Sequence, residues 1–378
     1  PRILLRKIKE AGESPSRRIL INFIYGLNFL FLMVRILYGV AGEGFGHAVR
    51  SRVLIEQLNK KNKIKIVTSG KGHSYLKKLF DVEEIDYFRL IYRNNKISIL
   101  LTLLNNLIKF PIIIVKSLKI SKIIQDFRPN IIITDFEPLV AYFAFFKKIP
   151  LISVDNQHVL TKGHHKDVAR AHYFDALITN FVIRSFIIKP HKHFINSFFD
   201  CKLKDKDSIL VKPLLREEII NAHTSNKGHI LVYQTSKSNK KLIKELQKIN
   251  KKFIVYGFPR SKKIGNITFK NISEKGFLKD LSSCSGVITN AGSTLMSEAL
   301  FLKKPILSLP VKRQFEQILN AIYLEKLGYG MFARQTKKEI IEEFIRNIPK
   351  FRNKLKNYKK YDNNKTIRKI SDALKPLN

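Results

Sequence analysis

The chain has 378 residues, 44% of them hydrophobic, which is enough to fill the cores of two α/β domains. Its 70 Lys and Arg against 30 Asp and Glu leave a formal net charge of +40, attractive to nucleic acid, anionic lipid and phosphorylated substrates alike. Much of that excess is lysine set among isoleucine and asparagine, as at Lys60-Lys61-Asn62-Lys63, so charge selects no function, and the two cysteines, Cys201 and Cys284, lack the spacing of a disulfide framework or a zinc site and suit a reducing cytoplasm.

In chain order, residues 19–34 are apolar and uncharged after Arg17-Arg18, but shorter than the ~20 residues of a spanning helix; a signal anchor stays open. Residues 1–32 are set aside as an extension of doubtful origin. From Val34, short apolar runs alternate with longer amphipathic stretches, the pattern of parallel strands joined by crossover helices. Strands are expected at 35–40, 63–68, 131–134, 151–154 and 176–179, and again at 229–234, 252–256, 267–270, 286–289 and 305–309. The stretch 97–124 is greasy, yet interrupted by Pro111 and by Lys109, Lys116, Lys119 and Lys122. It reads as buried crossover helices split at the proline, or as an amphipathic surface that meets lipid. The irregular segments 201–207 and 221–228 put a domain boundary near 205–227. The resulting plan is α/β, with Rossmann-like domains at 33–212 and 213–345 and a helical tail at 346–378.

Three loops at expected strand ends carry polar chemistry. After the first strand comes Gly42-Glu43-Gly44-Phe45-Gly46-His47. The dinucleotide fingerprint G-x-G-x-x-G fails there, because His47 takes the last glycine place, and Ser69-Gly70-Lys71 supplies no acid after the second strand, which disfavours a nicotinamide enzyme. His47 is placed to act as a general base and Asp135, ending a later strand, to orient it. Taken singly, His47 reads as a helix-start surface residue and Asp135 as an N-cap before a helix over 137–146. Asp155, Asn156, Gln157 and His158 follow another strand and would line a pocket for a second reactant. His158 with His164 and His165 has no metal-ligand spacing, and no metal is expected. In the second half, the strand 286–289 leads into Asn290, Gly292, Ser293 and Thr294, where a helix N-terminus would attract phosphate, with Glu298 in reach of ribose hydroxyls. An ordinary βα turn is the other reading of these residues.

Together these motifs resemble the two-domain GT-B glycosyltransferases, particularly the families of the lipid-II-forming N-acetylglucosaminyltransferase and the UDP-glycosyltransferases, and a set of uncharacterised archaeal and bacterial glycosyltransferases. The resemblance covers most of residues 33–330. Gly292 followed six residues later by Glu298 matches the donor motif, with Asn290 where many relatives carry histidine. Lys304-Pro305-Ile306-Leu307-Ser308-Leu309-Pro310 and then Glu316-Gln317 with Asn320-Ala321 match its continuation, in which the acidic-Gln pair touches the donor sugar. Gly44, Gly46 and His47 are similar to the family's amino-terminal loop, Asp135 to the partner of its catalytic His, and Pro213 to Arg216 to its interdomain element. Gln234-Thr235-Ser236 falls at the second phosphate loop without its glycines.

The resemblance implies two Rossmann-like domains facing a cleft, with the acceptor bound by the first and the donor by the second. It implies an inverting, metal-independent hexosyl transfer from a UDP-sugar to an acceptor hydroxyl, lipid-linked or on a cell-envelope glycan, without a cofactor. The protein would be cytoplasmic or peripheral at the inner face of the cell membrane, against an anionic surface, with no specific nucleic acid. A UDP-sugar 2-epimerase of the same fold, which would use carboxylates, and a basic nucleic-acid-binding protein are the alternatives; the chain lacks Trp and basic-aromatic strand motifs.

Overall fold

The computed structural model describes residues 33–85, 91–93, 96–234, 239–258 and 261–375. The first sheet opens with β1 (Arg35–Val40), followed by α1 (Gly46–Leu58), β2 (Lys63–Thr68), α2 (Gly70–Leu76) and β3 (Val82–Glu84). A short antiparallel pair, β4 (Tyr92–Arg93) and β5 (Lys96–Ile97), precedes the long helix α3 (Ile99–Phe127). The chain then returns to the other side of β1 with β6 (Ile131–Asp135), α4 (Pro138–Phe146) and β7 (Leu151–Asp155). Three helices follow, α5 (His158–Lys162), α6 (Lys166–Ala171) and α7 (Tyr173–Phe186), before β8 (Lys192–Asn196) and β9 (Ser208–Val211). The seven strands run parallel in the order β3-β2-β1-β6-β7-β8-β9.

The second sheet is entered through α8 (Glu217–Ile220) and contains β10 (Ile230–Tyr233), β11 (Phe253–Tyr256), β12 (Lys263–Ile264), β13 (Ile267–Phe269), β14 (Gly286–Thr289), β15 (Ile306–Ser308) and β16 (Gly330–Phe332). Its helices are α9 (Lys240–Gln247), α10 (Glu274–Ser283), α11 (Ser293–Phe301) and α12 (Phe315–Lys326), with α13 (Lys338–Leu355) and α14 (Asn364–Leu374) closing the chain. Its order is β12-β13-β11-β10-β14-β15-β16, antiparallel only between β12 and β13.

Parallel strands must be covered on both faces, which is why they read as continuous apolar runs. In β1, Ile36, Tyr38 and Val40 pack with Leu54 and Ile55 on one face while Leu37 packs with Ile120 and Val140 on the other. Both sheets also reverse their winding direction next to the first strand, between β1 and β6 and between β10 and β14. Backbones diverge at such a switch point and leave a crevice beyond the strands' carboxyl ends.

Residues 176–179, expected as a strand, lie in α7. A short apolar run does not distinguish strand from helix, and here Ala176 and Ile183 are buried while Phe174, Leu177 and Phe181 face outward. The helix α3 runs unbroken through Pro111, where a split was expected. Of its described side chains, Ile120 and Ile124 are buried, whereas Leu104, Ile108, Val115 and Leu118 are exposed. The extension 1–32 and residues 235–236 lie outside the described residues. Among the described residues no helix is long and apolar enough to cross a membrane.

The carboxyl-terminal helices divide between the sheets. Helix α13 buries Ile341, Phe344, Ile348 and Phe351 in the second core, and α14 returns to the first, where Ile370, Ala373 and Leu374 are buried beside β1 and α1 residues. Asn363, just before α14, donates Nδ2–H to Leu215 O at 2.6 Å and accepts from Leu215 N at 2.9 Å, pinning the return. Ile370→Ala should therefore destabilise the first sheet by about 2–5 kcal/mol, the range for truncating a buried isoleucine. Calorimetry checks this through a lowered unfolding transition; an unchanged transition would show that α14 does not contribute to the first core.

Candidate active site

The first wall of the crevice is built where β1 and β6 diverge. The loop after β1 turns at Gly44, whose φ of +79° suits glycine, and α1 begins at Gly46, so that His47 falls in the first helical turn. Val40 and Asp135 are register partners at the ends of β1 and β6, which puts the Asp135 carboxylate beneath that turn. Asp135 is buried and accepts from His47 Nδ1–H (2.8 Å), Arg50 Nε–H (2.7 Å), Ser51 Oγ–H (2.8 Å) and Arg50 Nη2–H. Burial by itself would raise the Asp135 pKa; the Arg50 and His47 charges and their hydrogen bonds more than reverse this and hold it below the ordinary aspartate value. An ionised acceptor fixes the imidazole proton on Nδ1 and turns the Nε2 lone pair outward. The ring stacks on Phe136, with centroids 6.4 Å apart.

Gln157 carries this cluster across the cleft. Its Oε1 lies 3.4 Å from Arg50 Nη2, and its Nε2 lies 3.4 Å from His47 Nε2 and donates to Glu316 Oε2 of the second half at 3.1 Å. Burial raises the Glu316 carboxyl above its ordinary value. The other three polar residues of this loop turn away from the cleft. Asp155 takes His158 Nδ1–H at 2.7 Å, His158 N–H at 2.9 Å and the Ser153 hydroxyl, while Asn156 Nδ2–H bonds Asn196 O at 2.6 Å. Asp155 and His158 are thus spent on each other inside the first half, and Asn156 on Asn196 through its amide nitrogen alone, its Oδ1 being buried without a partner.

The second wall is the start of α11. Gly292 is its N-cap, with φ −67°, and the left-handed residue of the turn is Ala291 at φ +66°, so Gly292 is not required by backbone conformation. What its missing side chain leaves is space: a Cβ there would meet nothing within 4 Å. The helix has no side-chain cap and no acid in its first turn, so its unpaired N–H groups and dipole face that space. Thr294 Oγ donates to Gly46 O at 3.0 Å, bringing the first turns of α1 and α11 together. Ser293 is buried and its carbonyl accepts from Ser297 Oγ at 2.8 Å.

Other residues of the expected donor set hold the scaffold. Asn290 Nδ2 donates to Gln234 Oε1 (3.0 Å) and Leu309 O (2.9 Å), tying together the ends of β10, β14 and the segment after β15. Gln317 Oε1 accepts from Val311 N at 2.8 Å and fixes the loop before α12. Glu298 is gripped by Arg216, which donates Nε–H and Nη2–H to its two oxygens at 2.8 Å each. Each of those oxygens keeps a second lone pair. Arg216 Nη1 also reaches Glu274 Oε1 (2.9 Å), which accepts from Arg52 Nη1 (3.0 Å) and Tyr75 OH (2.9 Å) in the first half. Sequence reasoning missed Arg50 and Ser51; their spacing from His47, three and four residues on, is the helical signal that would have put them on its face.

The profile of glycosyl transferase family 1 matches residues 34–349. A Methanosarcina acetivorans protein named as an uncharacterized glycosyltransferase is 25% identical, over 89% of this chain and 97% of its own. The UDP-N-acetylglucosamine-N-acetylmuramyl-(pentapeptide) pyrophosphoryl-undecaprenol N-acetylglucosamine transferase of Clostridium botulinum is 26% identical, over 89% of this chain and 95% of its own. Among solved structures, the glycotransferase of kitacinnamycin superposes with a TM-score of 0.59 at 12% identity, covering 86% of this chain and 94% of that one. The calicheamicin glycosyltransferase gives 0.57 at 13%, covering 86% and 93%. The fold is that of the GT-B glycosyltransferases, two Rossmann-like halves with the carboxyl ends of their sheets turned to one cleft. With most of its length matched by the profile, the chain belongs to glycosyl transferase family 1.

Removing the Asp135 charge isolates the clamp. Asp135→Asn leaves Arg50 buried without a counter-charge and should cost about 3–5 kcal/mol of stability near neutral pH. The wild-type contribution is present above the ordinary aspartate pKa and is lost as pH falls through the depressed folded value, so the variant's deficit should shrink in acid. Denaturant titrations of both proteins across pH test this, and a deficit that grows towards acid pH contradicts the assignment.

Proposed function

We propose that the protein moves a hexose, with inversion at the anomeric carbon, from a UDP-sugar to the hydroxyl of a lipid-linked or cell-envelope acceptor. The reading is carried by one arrangement: His47, its Nδ1–H held by a buried carboxylate, stands across the cleft from the uncapped start of α11. His47 Nε2 takes the proton of the acceptor hydroxyl, the oxygen forms its bond to the anomeric carbon from the face opposite the diphosphate, and the carbon–oxygen bond to the diphosphate breaks. The departing UDP keeps the electron pair. Its negative charge is met by the N–H groups and dipole of α11, so this reading assigns no metal and no cofactor.

Glu298, positioned by Arg216, accepts from ribose hydroxyls through its remaining lone pairs, and Glu316 with Gln157 faces the sugar. Asn290 and Gln317 act behind these contacts, as supports of the donor loops. The UDP preference is supported by the name of the Clostridium botulinum relative. An anionic membrane surface as a partner is supported by the basic composition and by the exposed Leu104, Ile108, Val115 and Leu118 of α3.

His47→Ala should lower transfer from UDP-N-acetylglucosamine by about 10²- to 10⁴-fold, the usual contribution of a positioned base, with UDP binding unchanged. Chromatographic assay of released UDP in the presence of acceptor reads this directly, and retained turnover sinks the role of His47. Gly292→Ala should leave the melting temperature within a degree or so, since its φ suits alanine and the methyl meets open space. The same methyl should weaken UDP binding about tenfold by crowding one charge-assisted hydrogen bond. Calorimetric titration with UDP, GDP and dTDP compares the bases; unaltered UDP affinity in Gly292→Ala would place the diphosphate elsewhere.

A further inference from the structure

A second cavity, of about 410 Å³, opens in the first half between α5, the end of α7, the start of β8 and the loop joining β8 to β9. Neither His47 nor Asp135 lines it. Its wall holds four cations, Lys162, Arg184, Lys189 and Lys204, against one acid, Asp205. Lys162 pairs with Asp205 at 2.8 Å, which leaves the charges of Arg184, Lys189 and Lys204 unopposed within the lining. Lys204 Nζ donates to Thr161 O at 3.0 Å and Lys189 Nζ stands 5.4 Å from the Phe145 ring centroid, so both ammonium groups are held by neighbours that carry no formal charge.

His193 is the second observation. It is 95% buried (5% exposed), lines the cavity, and its Nδ1 is buried without a hydrogen-bond partner. Leaving such an atom unsatisfied costs about 1–3 kcal/mol. The neighbouring ring of His158, centroid to centroid 4.2 Å, has its own Nδ1–H committed to Asp155 and makes no hydrogen bond to it. Burial, then the His158 charge, lowers the His193 pKa to about 3, so the ring is neutral and offers one N–H donor.

We infer that this cavity binds a phosphate group, with Arg184, Lys189 and Lys204 supplying charge-assisted contacts and His193 Nδ1–H donating to one oxygen. The chemistry fits a lipid phosphate headgroup and a free phosphate alike. The neighbouring exposed residues Phe174, Leu177 and Phe181 on α7 give a lipid's chains a place to lie, and a free phosphate does not need them. The inference is independent of the transferase reading, since no residue assigned to donor or base is used.

The full chain, isotope-labelled at histidine, is titrated with inorganic phosphate at constant ionic strength, with chloride as the control. The His193 ring signals, identified by their loss in His193→Asn, should shift saturably with phosphate, and Arg184→Gln and Lys204→Gln should each weaken the response about tenfold. In a second arm the protein is sedimented with phosphatidylcholine vesicles with and without phosphatidic acid. Retention that depends on phosphatidic acid and falls in both variants identifies a lipid phosphate; a His193 shift without vesicle preference identifies a free one. Absence of both responses, or responses unchanged in the two variants, overturns the site.

Discussion

Arg216 is the side chain on which the relation of the two halves depends. It sits where the chain passes from the first sheet to the second, buried, with two N–H groups on Glu298 of α11 and a third on Glu274 of α10. Glu274 in turn meets Arg52 and Tyr75 of the first half. A buried ion pair contributes little net stability once both charges are desolvated, but its directional, two-pronged geometry defines one arrangement sharply. The carboxylate on α11 and the guanidinium on α1 are thereby linked through the connecting segment. That chain of contacts and the contact of Thr294 with Gly46 join the two halves at the cleft.

Within the first half, the same loop chemistry is used twice with different outcomes. Asp135 holds His47, and Asp155 holds His158, each through Nδ1 at the end of a parallel strand. His47 is partly open to the cleft, while His158 is buried against His193. The difference comes from the strand's place in the sheet. β6 lies beside β1 at the switch point, where backbones separate and leave room for a reactant, whereas β7 lies one strand further on, α5 starts at His158 itself and the ring is enclosed against His193 of β8. Arg50 adds a charge to the first pair that the second lacks, and it keeps Asp135 ionised inside a low-dielectric setting.

In the second half, the residues of one short motif divide between making the scaffold and leaving space in it. Asn290 and Gln317 spend their amides on backbone and side-chain partners behind the loops, where a satisfied amide fixes the loop without adding charge. Gly292 contributes by having no side chain in front of the first turn of α11. The turn itself is made at Ala291, a non-glycine residue held at positive φ, so the conformational demand and the demand for space fall on neighbouring positions.

The amino-acid order alone determined the elements whose signal is local. The strands beginning near Arg35, Ile131 and Leu151 are readable because two-sided burial favours apolar runs, the one at Lys63 from isoleucines alternating with lysines, and Asp135 is readable because it ends such a run and His47 because it closes the glycine loop that follows one. Residues 176–179 were not, since three apolar residues and a threonine fit either period until a neighbouring surface chooses one. The last two strands, β8 and the edge strand β9, are short and partly polar, and only the pairing of β8 with β7 and of β9 with β8 makes strands of them. Tertiary structure also decided which polar residues face the cleft: it turned Gln157 out and Asp155, Asn156 and His158 in, joined Arg50 to Asp135 across 85 positions, and paired Arg216 with Glu298 across 82. Those outcomes depend on where helices lie over a sheet and on which buried charge finds which partner, and neither is a property of any local stretch of sequence.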